Sequence, residues 1–156
     1  MKWELLIHFR VYGLPRPGGS KTAFYNKKLG RAMIVDACKT VKTWRQDVKT
    51  AALSVKPDAL FDGCLRFDCT FLMPRPKGHF RTGKNAHLLR DTAPPCPNTK
   101  PDLLKLGRST EDALTGIMWV DDARIVHEIL SKSFAVGGET IGADILIWKL
   151  VPEDNQ

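Results

Sequence analysis

Apolar and polar positions along the chain alternate with a period of two in some stretches and near 3.6 in others. Residues 5 to 12 place Leu5, Ile7, Phe9 and Val11 on one face and His8 and Arg10 on the other. That alternation predicts a half-buried strand. Phe24-Tyr25 and Met33-Ile34-Val35 flank NKKLGR, which predicts a ribbon or ordered loop with Asn26 and Gly30 near a solvated basic tip. From Asp36 to about Ser54, Ala37, Val41, Trp44, Val48 and Ala51 recur at helical spacing, with Lys39, Lys42, Arg45 and Lys49 on other faces, as an amphipathic helix requires. Between Cys64 and Met73, Leu65, Phe67, Cys69, Phe71 and Met73 share one parity and Arg66, Asp68 and Thr70 the other. This is a second strand.

Residues 74 to 100 hold Pro74, Pro76, Pro94, Pro95 and Pro97 among basic residues and predict a long irregular segment from which nothing packs into the core. After Asp102 a helix to about Leu114 buries Leu103, Leu106, Thr110, Ala113 and Leu114 and stops at Gly116. Ile125 to Phe134 and Ile141 to Leu150 read as strands joined by AVGGET, which predicts an antiparallel hairpin. The expected fold is α+β, a small single domain over residues 1–150 whose mixed sheet carries two main helices on one face, with residues 151–156 as a tail.

Charge sharpens this picture. Lys and Arg number 24 against 17 Asp and Glu, a formal net charge of +7, which favours a polyanionic partner. No apolar run approaches the roughly 18 residues of a membrane-spanning helix, and MKWELLIHFR alternates instead of forming a signal-peptide block, so an intracellular protein without a membrane partner is expected. Cys38, Cys64, Cys69 and Cys96 contain no C-x-x-C pair, and the four histidines have no ligand spacing, so zinc is not expected.

GLPRPGGSKT fails as a nucleotide-binding phosphate loop, because Gly19 and Ser20 separate Gly18 from Lys21. Its glycines predict a turn from which Arg16 and Lys21 meet a DNA backbone. RPKGHFRTGKN sets Arg75, Lys77, Arg81 and Lys84 around Phe80, a cationic segment suited to phosphates. Against this basic background the acids are the anomaly. Asp102 stands where a helix begins, a capping position, and Asp121-Asp122 lies between a helix and a strand, where acids commonly make turns. Together they allow another reading: a helix and a short return can bring Asp122 beside Asp102, and two or three carboxylates there would bind Mg²⁺, whose water can attack a phosphodiester. Asp102 and Glu111 are nine residues apart, roughly 13 Å of helix, too far to share one metal. Arg108, about 9 Å along, suits stabilisation of a reacting phosphate.

FRVYGLPRPGGSK, KTWRQDV, FLMPRPKGHF and above all KPDLLKLGRSTEDALTG followed by WVDDARIV resemble the RusA family of phage and prophage Holliday-junction resolvases. The resemblance implies a homodimeric α+β endonuclease that uses Mg²⁺, or Mn²⁺, to cut four-way or branched DNA by paired symmetric nicks in recombination and repair, in the cytoplasm of a bacterial host. A two-fold protein also suits a roughly two-fold junction. By position, Asp102 matches the first catalytic aspartate and Asp122 the last. Leu104 stands where the family has its second aspartate, Lys105 where it has asparagine, and Arg108 where it has a catalytic lysine. Asp121 is the expected substitute carboxylate, with Glu111 able to serve only from the other subunit or through a bent helix, and Lys100 and Lys105 join the DNA-contacting set. Leu104 also motivates an alternative, a structure-selective junction-binding protein with lost or weakened cleavage. A third reading, an RNA or protein partner, requires both motifs to be coincidental.

Overall fold

The computed structural model describes residues 1–19, 21–36 and 38–153, so Ser20, Ala37 and the end of the expected tail, residues 154–156, lie outside the described residues. In chain order it contains β1 (Lys2–Tyr12), β2 (Lys21–Asn26), β3 (Arg31–Asp36), α1 (Val41–Ser54), β4 (Leu65–Met73), α2 (Leu103–Leu114), β5 (Ile125–Phe134) and β6 (Gly142–Val151). Four strands make one mixed sheet in the order β1-β6-β4-β5. Within it β6 runs antiparallel to β1 and β4, and β5 runs parallel to β4. The other two strands, β2 and β3, form a separate antiparallel ribbon with Asn26 opposite Arg31 at its tip, as their flanking pattern predicts.

The expected hairpin of the last two strands does not form. Between β5 and β6 lies β4, paired on both edges. Burial explains the outcome: Leu65, Phe67, Cys69 and Phe71 of β4 are all at most 1% exposed, so this strand belongs at the sheet's centre. A tight β5–β6 turn would leave one of its edges open. The parity of β1 also breaks, because the register shifts between Leu5 and Ile7. Leu5 is consequently exposed and Leu6 packs against the core, while Phe9 and Val11 are buried as expected.

On the sheet, α1 buries Val41, Trp44, Val48 and Ala52, and α2 buries Leu106, Ala113 and Leu114. Each large side chain so buried is worth about 1.5–3 kcal/mol. The Trp44 Nε1–H donates to Thr110 Oγ1 at 3.1 Å, and the Thr110 hydroxyl donates to the Leu106 carbonyl at 3.0 Å. This buried chain of bonds fixes α2 against α1. At the start of α2, Lys132 Nζ of β5 donates to the carbonyls of Thr99 and Pro101 at 2.7 and 2.8 Å. Past its end, Gly116 takes φ +82°, and its N–H donates to the Trp119 carbonyl at 2.7 Å. Only glycine adopts that backbone freely. Trp119 is buried with its ring edge-on to Phe67, and this clamped return delivers Asp121 and Asp122 to the start of β5.

Residues 74 to 100 are irregular but internally braced. The Arg75 guanidinium lies 4.0 Å above the Phe134 ring and donates to the Pro94 carbonyl at 3.0 Å. Phe80 bridges to Leu89, and Arg81 pairs with Asp91 at 2.9 Å. Pro97 is buried, against the expectation that nothing in the segment packs inward.

Candidate active site

The two ends of α2 hold the candidate residues. At the first end, Asp102 occupies the capping position, yet its side chain makes no capping hydrogen bond. Its Oδ2 lies 3.2 Å from Lys105 Nζ instead. Both residues line a recess of about 420 Å³ together with Arg16 and Lys100. Leu104 is 75% exposed, a large apolar side chain facing water in the first turn.

The glycine loop docks directly on this helix. Its Gly18 N–H donates to the Lys105 carbonyl at 2.9 Å, and a Cβ there would sit 3.1 Å from Ser109 Cβ. A Cβ on Gly19, which has φ +83°, would meet Arg108 Cδ at 2.9 Å. The glycines of GLPRPGG thus make the close approach that seats Arg108. This role was not legible from the motif, because nothing local to the loop reveals the surface it will face.

At the other end, Glu111 of α2 and Asp122, His127 and Glu128 line a recess of about 350 Å³ at the start of β5. Asp102 is not among them, and by helical rise it stands roughly 13 Å from Glu111. Burial, a hydrogen bond with Glu128, and the charges of Glu128, Asp122 and Asp112 push the Glu111 carboxyl up to about 8. Every charged group acting on it is an acid, so near neutral pH the Glu111 carboxyl keeps its proton. Asp121 Oδ1 accepts from the Ala123 N–H at 2.8 Å, and that bond, followed by a hydrogen bond with Asp122 and the charge of Arg124, holds its carboxyl below the usual range. One Asp121 oxygen is therefore committed to the turn.

Glu128 is not among the residues to which the sequence points, and Glu111 enters there only as a substitute carboxylate that needs the other subunit or a bent helix, because the helix separates it from Asp102. A usable signal existed: positions 104, 108 and 111 lie along one helical stripe. Gly107 lets α2 approach β5 so closely that a Cβ there would lie 2.6 Å from Leu130 Cδ1. Proximity of that kind brings Glu111 to Glu128.

Among the described residues no three acids, histidines or cysteines stand so that, as placed, they could hold a metal ion. In chemistry, the donors around Asp122 nevertheless fit a hard cation. They are carboxylate oxygens gathered so closely that one keeps its proton, a state that a divalent ion relieves. Asp102 alone does not fit, being one carboxylate already facing an ammonium. Of the cationic candidates, Lys77, Lys84 and Lys100 have exposed side chains, Arg16 is half-buried beside the first recess, and Arg75 and Arg81 brace their own loop. Lys21 opens β2.

The arrangement is that of a small α+β domain with acids at the start of its edge strand and with the cationic loops gathered at the other end of α2, beside Asp102. The RusA family, described as endodeoxyribonuclease RusA, matches residues 16–144. The chain belongs to this family of endonucleases that act on Holliday junctions. A Bacillus subtilis (strain 168) protein described as uncharacterized protein YqaN is 29% identical over 138 residues, covering 83% of this chain and 88% of its own length. No helix of the described residues is long and apolar enough to cross a membrane.

Proposed function

We propose that the protein is a divalent-cation-dependent endodeoxyribonuclease that resolves Holliday junctions and other branched DNA by paired symmetric nicks, acting in recombination and repair in a bacterial cytoplasm, with a phage or prophage origin. The observation that carries this reading is the placement of Asp122, within the family-matched segment, against Glu111 and Glu128 at the head of β5. Asp122, with Glu111 and Glu128 and the uncommitted oxygen of Asp121, would hold Mg²⁺ or Mn²⁺. When bound, the ion supplies an activated water and charge stabilisation at the leaving oxygen.

The chain's own residues do the rest. Asp102 is the second catalytic position by its match to the family's first aspartate. Arg108, seated by Gly19 between the two acidic loci, meets the scissile phosphate, where its fixed charge offsets the negative charge that grows in the transition state. Arginine keeps the charge of the family's lysine in a broader, planar group. Arg16, Lys21, Lys77, Lys84, Lys100 and Lys105 neutralise backbone phosphates, and Arg75 and Arg81 hold the cationic loop in shape. The proposed domain includes Val151, which pairs with Lys2 as the last residue of β6. A homodimer presents two such sites to the two strands of the junction. The outer edge of β5, where Val126 and Ile129 are exposed, is unpaired among the described strands and suits that contact.

A second reading, junction binding with lost or weakened cleavage, is favoured by Leu104, whose exposed side chain replaces a family carboxylate. One experiment separates the two: a labelled four-way junction and a linear duplex incubated with Mg²⁺ or EDTA, using the native protein and Asp122→Asn. Paired nicks confined to the junction, abolished by EDTA and by the substitution, are expected of the resolvase. Tight junction binding without nicks in any metal supports the binding protein.

A further inference from the structure

We infer that the β2–β3 ribbon is a DNA-contacting arm, its lysines neutralising strand phosphates and Tyr25 stacking on a base exposed at a branch point. The inference deepens the proposed function and rests on it only for the branch point. No residue of the ribbon belongs to the hydrophobic core, although Tyr25 is 64% and Ile34 70% exposed and Phe24 and Leu29 are exposed as well. A lone two-stranded ribbon is marginal in water, so apolar side chains on both of its faces call for a partner.

Charge identifies the partner. Between residues 21 and 42, Lys21, Lys27, Lys28, Arg31, Lys39 and Lys42 stand against the single acid Asp36. Lys21, Lys39 and Lys42 converge on a recess of about 420 Å³ where the ribbon's base meets the start of α1, beside Ile34 and Val35. A nucleic-acid strand matches that distribution, with phosphates for the basal and tip lysines and π-faces for the exposed ring.

The arm is also preorganised. Asn26 Oδ1 accepts from the N–H groups of Lys28 and Leu29 at 3.0 and 3.2 Å, and Gly30 with φ +62° completes the turn. This holds the Lys27-Lys28 tip in one shape before any ligand arrives. Tyr25 pairs with Ala32, and Ala23 with Ile34, on the same face of the ribbon. The two small alanines leave the tyrosine ring uncovered.

The test measures fluorescence anisotropy of a labelled four-way junction and of a linear duplex with the same arm sequence, in EDTA, across a salt series. It uses the native full-length chain, Lys27→Glu with Lys28→Glu, Tyr25→Ala and Tyr25→Phe, with sedimentation analysis and thermal melting of each. The double lysine variant is expected to lose at least tenfold in affinity for both DNAs and to reduce the log K against log salt slope by about 2. Tyr25→Ala is expected to lose roughly 5- to 150-fold on the junction alone with no change of slope, and Tyr25→Phe to retain affinity.

Junction preference that no ribbon variant alters overturns the arm and leaves the resolvase reading standing. Native protein that binds duplex and junction equally, with the lysine variant weaker on both, overturns junction selectivity and keeps the arm as a DNA contact. Variants that melt normally but dissociate from dimer to monomer, with DNA affinity per monomer unchanged, overturn the arm in favour of a second copy of the chain. Because the ribbon lies outside the core, melting temperatures should match the native protein's.

Discussion

The two ends of α2 carry similar chemistry in opposite states. At the first, Asp102 faces an ammonium and Leu104 faces water, so the one carboxylate there is paired with a cation and the residue two positions on is apolar. At the second, Glu111, Asp122 and Glu128 crowd together with no cation acting on Glu111, and one of them holds a proton. The resemblance reaches both ends, at Asp102 and at Asp122, whereas the carboxylates it leaves unmatched, Glu111 and Glu128, gather at the second. The comparison teaches that a family motif marks the helix, while the donor set depends on what the folded neighbours add to it.

The sharpest break of this comparison replaces one acid at each end. If the second end holds the cation, Asp122→Asn should lower junction cleavage at least a hundredfold, since a lost metal carboxylate forfeits several kcal/mol of transition-state stabilisation at about 1.4 kcal/mol per tenfold. Asp102→Asn should cost less and leave Mg²⁺ affinity, measured by isothermal titration, nearly unchanged. Equal losses in both rate and metal affinity would make the two ends one site, against the separate recesses seen in the single chain.

Restoring the missing charge tests the same contrast from the other side. Leu104→Asp adds a carboxylate on the helical stripe it shares with Arg108 and Glu111, and no packing is lost because the leucine faces water. Cleavage in Mg²⁺ is expected to rise about tenfold, the effect of roughly 1.4 kcal/mol. If cleavage appears only in this variant, the native chain is the junction-binding protein of the second reading.

Legibility in the sequence followed the range of the interaction. The buried faces of β4, α1 and α2 were readable because each depends on its own period, and Asn26 and Gly30 marked the ribbon tip for the same local reason. The pairing of β5 was not, since AVGGET suggests a tight turn while the burial of β4 decides the strand order. Asp122 could be picked out as a candidate from the adjacent acids, Glu111 only through the other subunit or a bent helix, and Glu128 not at all. Glu111 and Glu128 meet only because Gly107 lets helix and strand close together, a contact between residues far apart in the chain.

What keeps the two ends in register is the Trp44–Thr110 bond midway along α2. Trp44→Phe removes the indole donor and part of a fully buried ring, while the Thr110 hydroxyl keeps its own bond to the Leu106 carbonyl. The expected loss is about 2–3 kcal/mol from the hydrogen bond and the space left behind. For a chain of this size, that lowers the thermal midpoint by roughly 4–12 °C. An unchanged midpoint would show that apolar packing alone positions the helix.

The smallest effect concerns the Glu111 proton and is read in EDTA by thermal and urea unfolding. Folding raises the Glu111 carboxyl from its ordinary 4.5 to about 8, so between those values the folded state binds more protons than the unfolded chain. Its contribution to stability is fully present below about pH 4.5, falls as pH rises toward 8, and stays lost above it. Glutamine at this position cannot release a proton, so Glu111→Gln should gain on the native protein across that window. The gain should reach about 1–2 kcal/mol by pH 8.5, discounted for the water that reaches a half-buried carboxyl. Adding Mg²⁺ at pH 8 should narrow the gap, because the cation stabilises the ionised native site and has less to bind in the variant. A difference between the two proteins that is flat from pH 5 to 8.5 would mean Glu111 is ionised throughout, and the contrast between the ends of α2 would then be one of position alone.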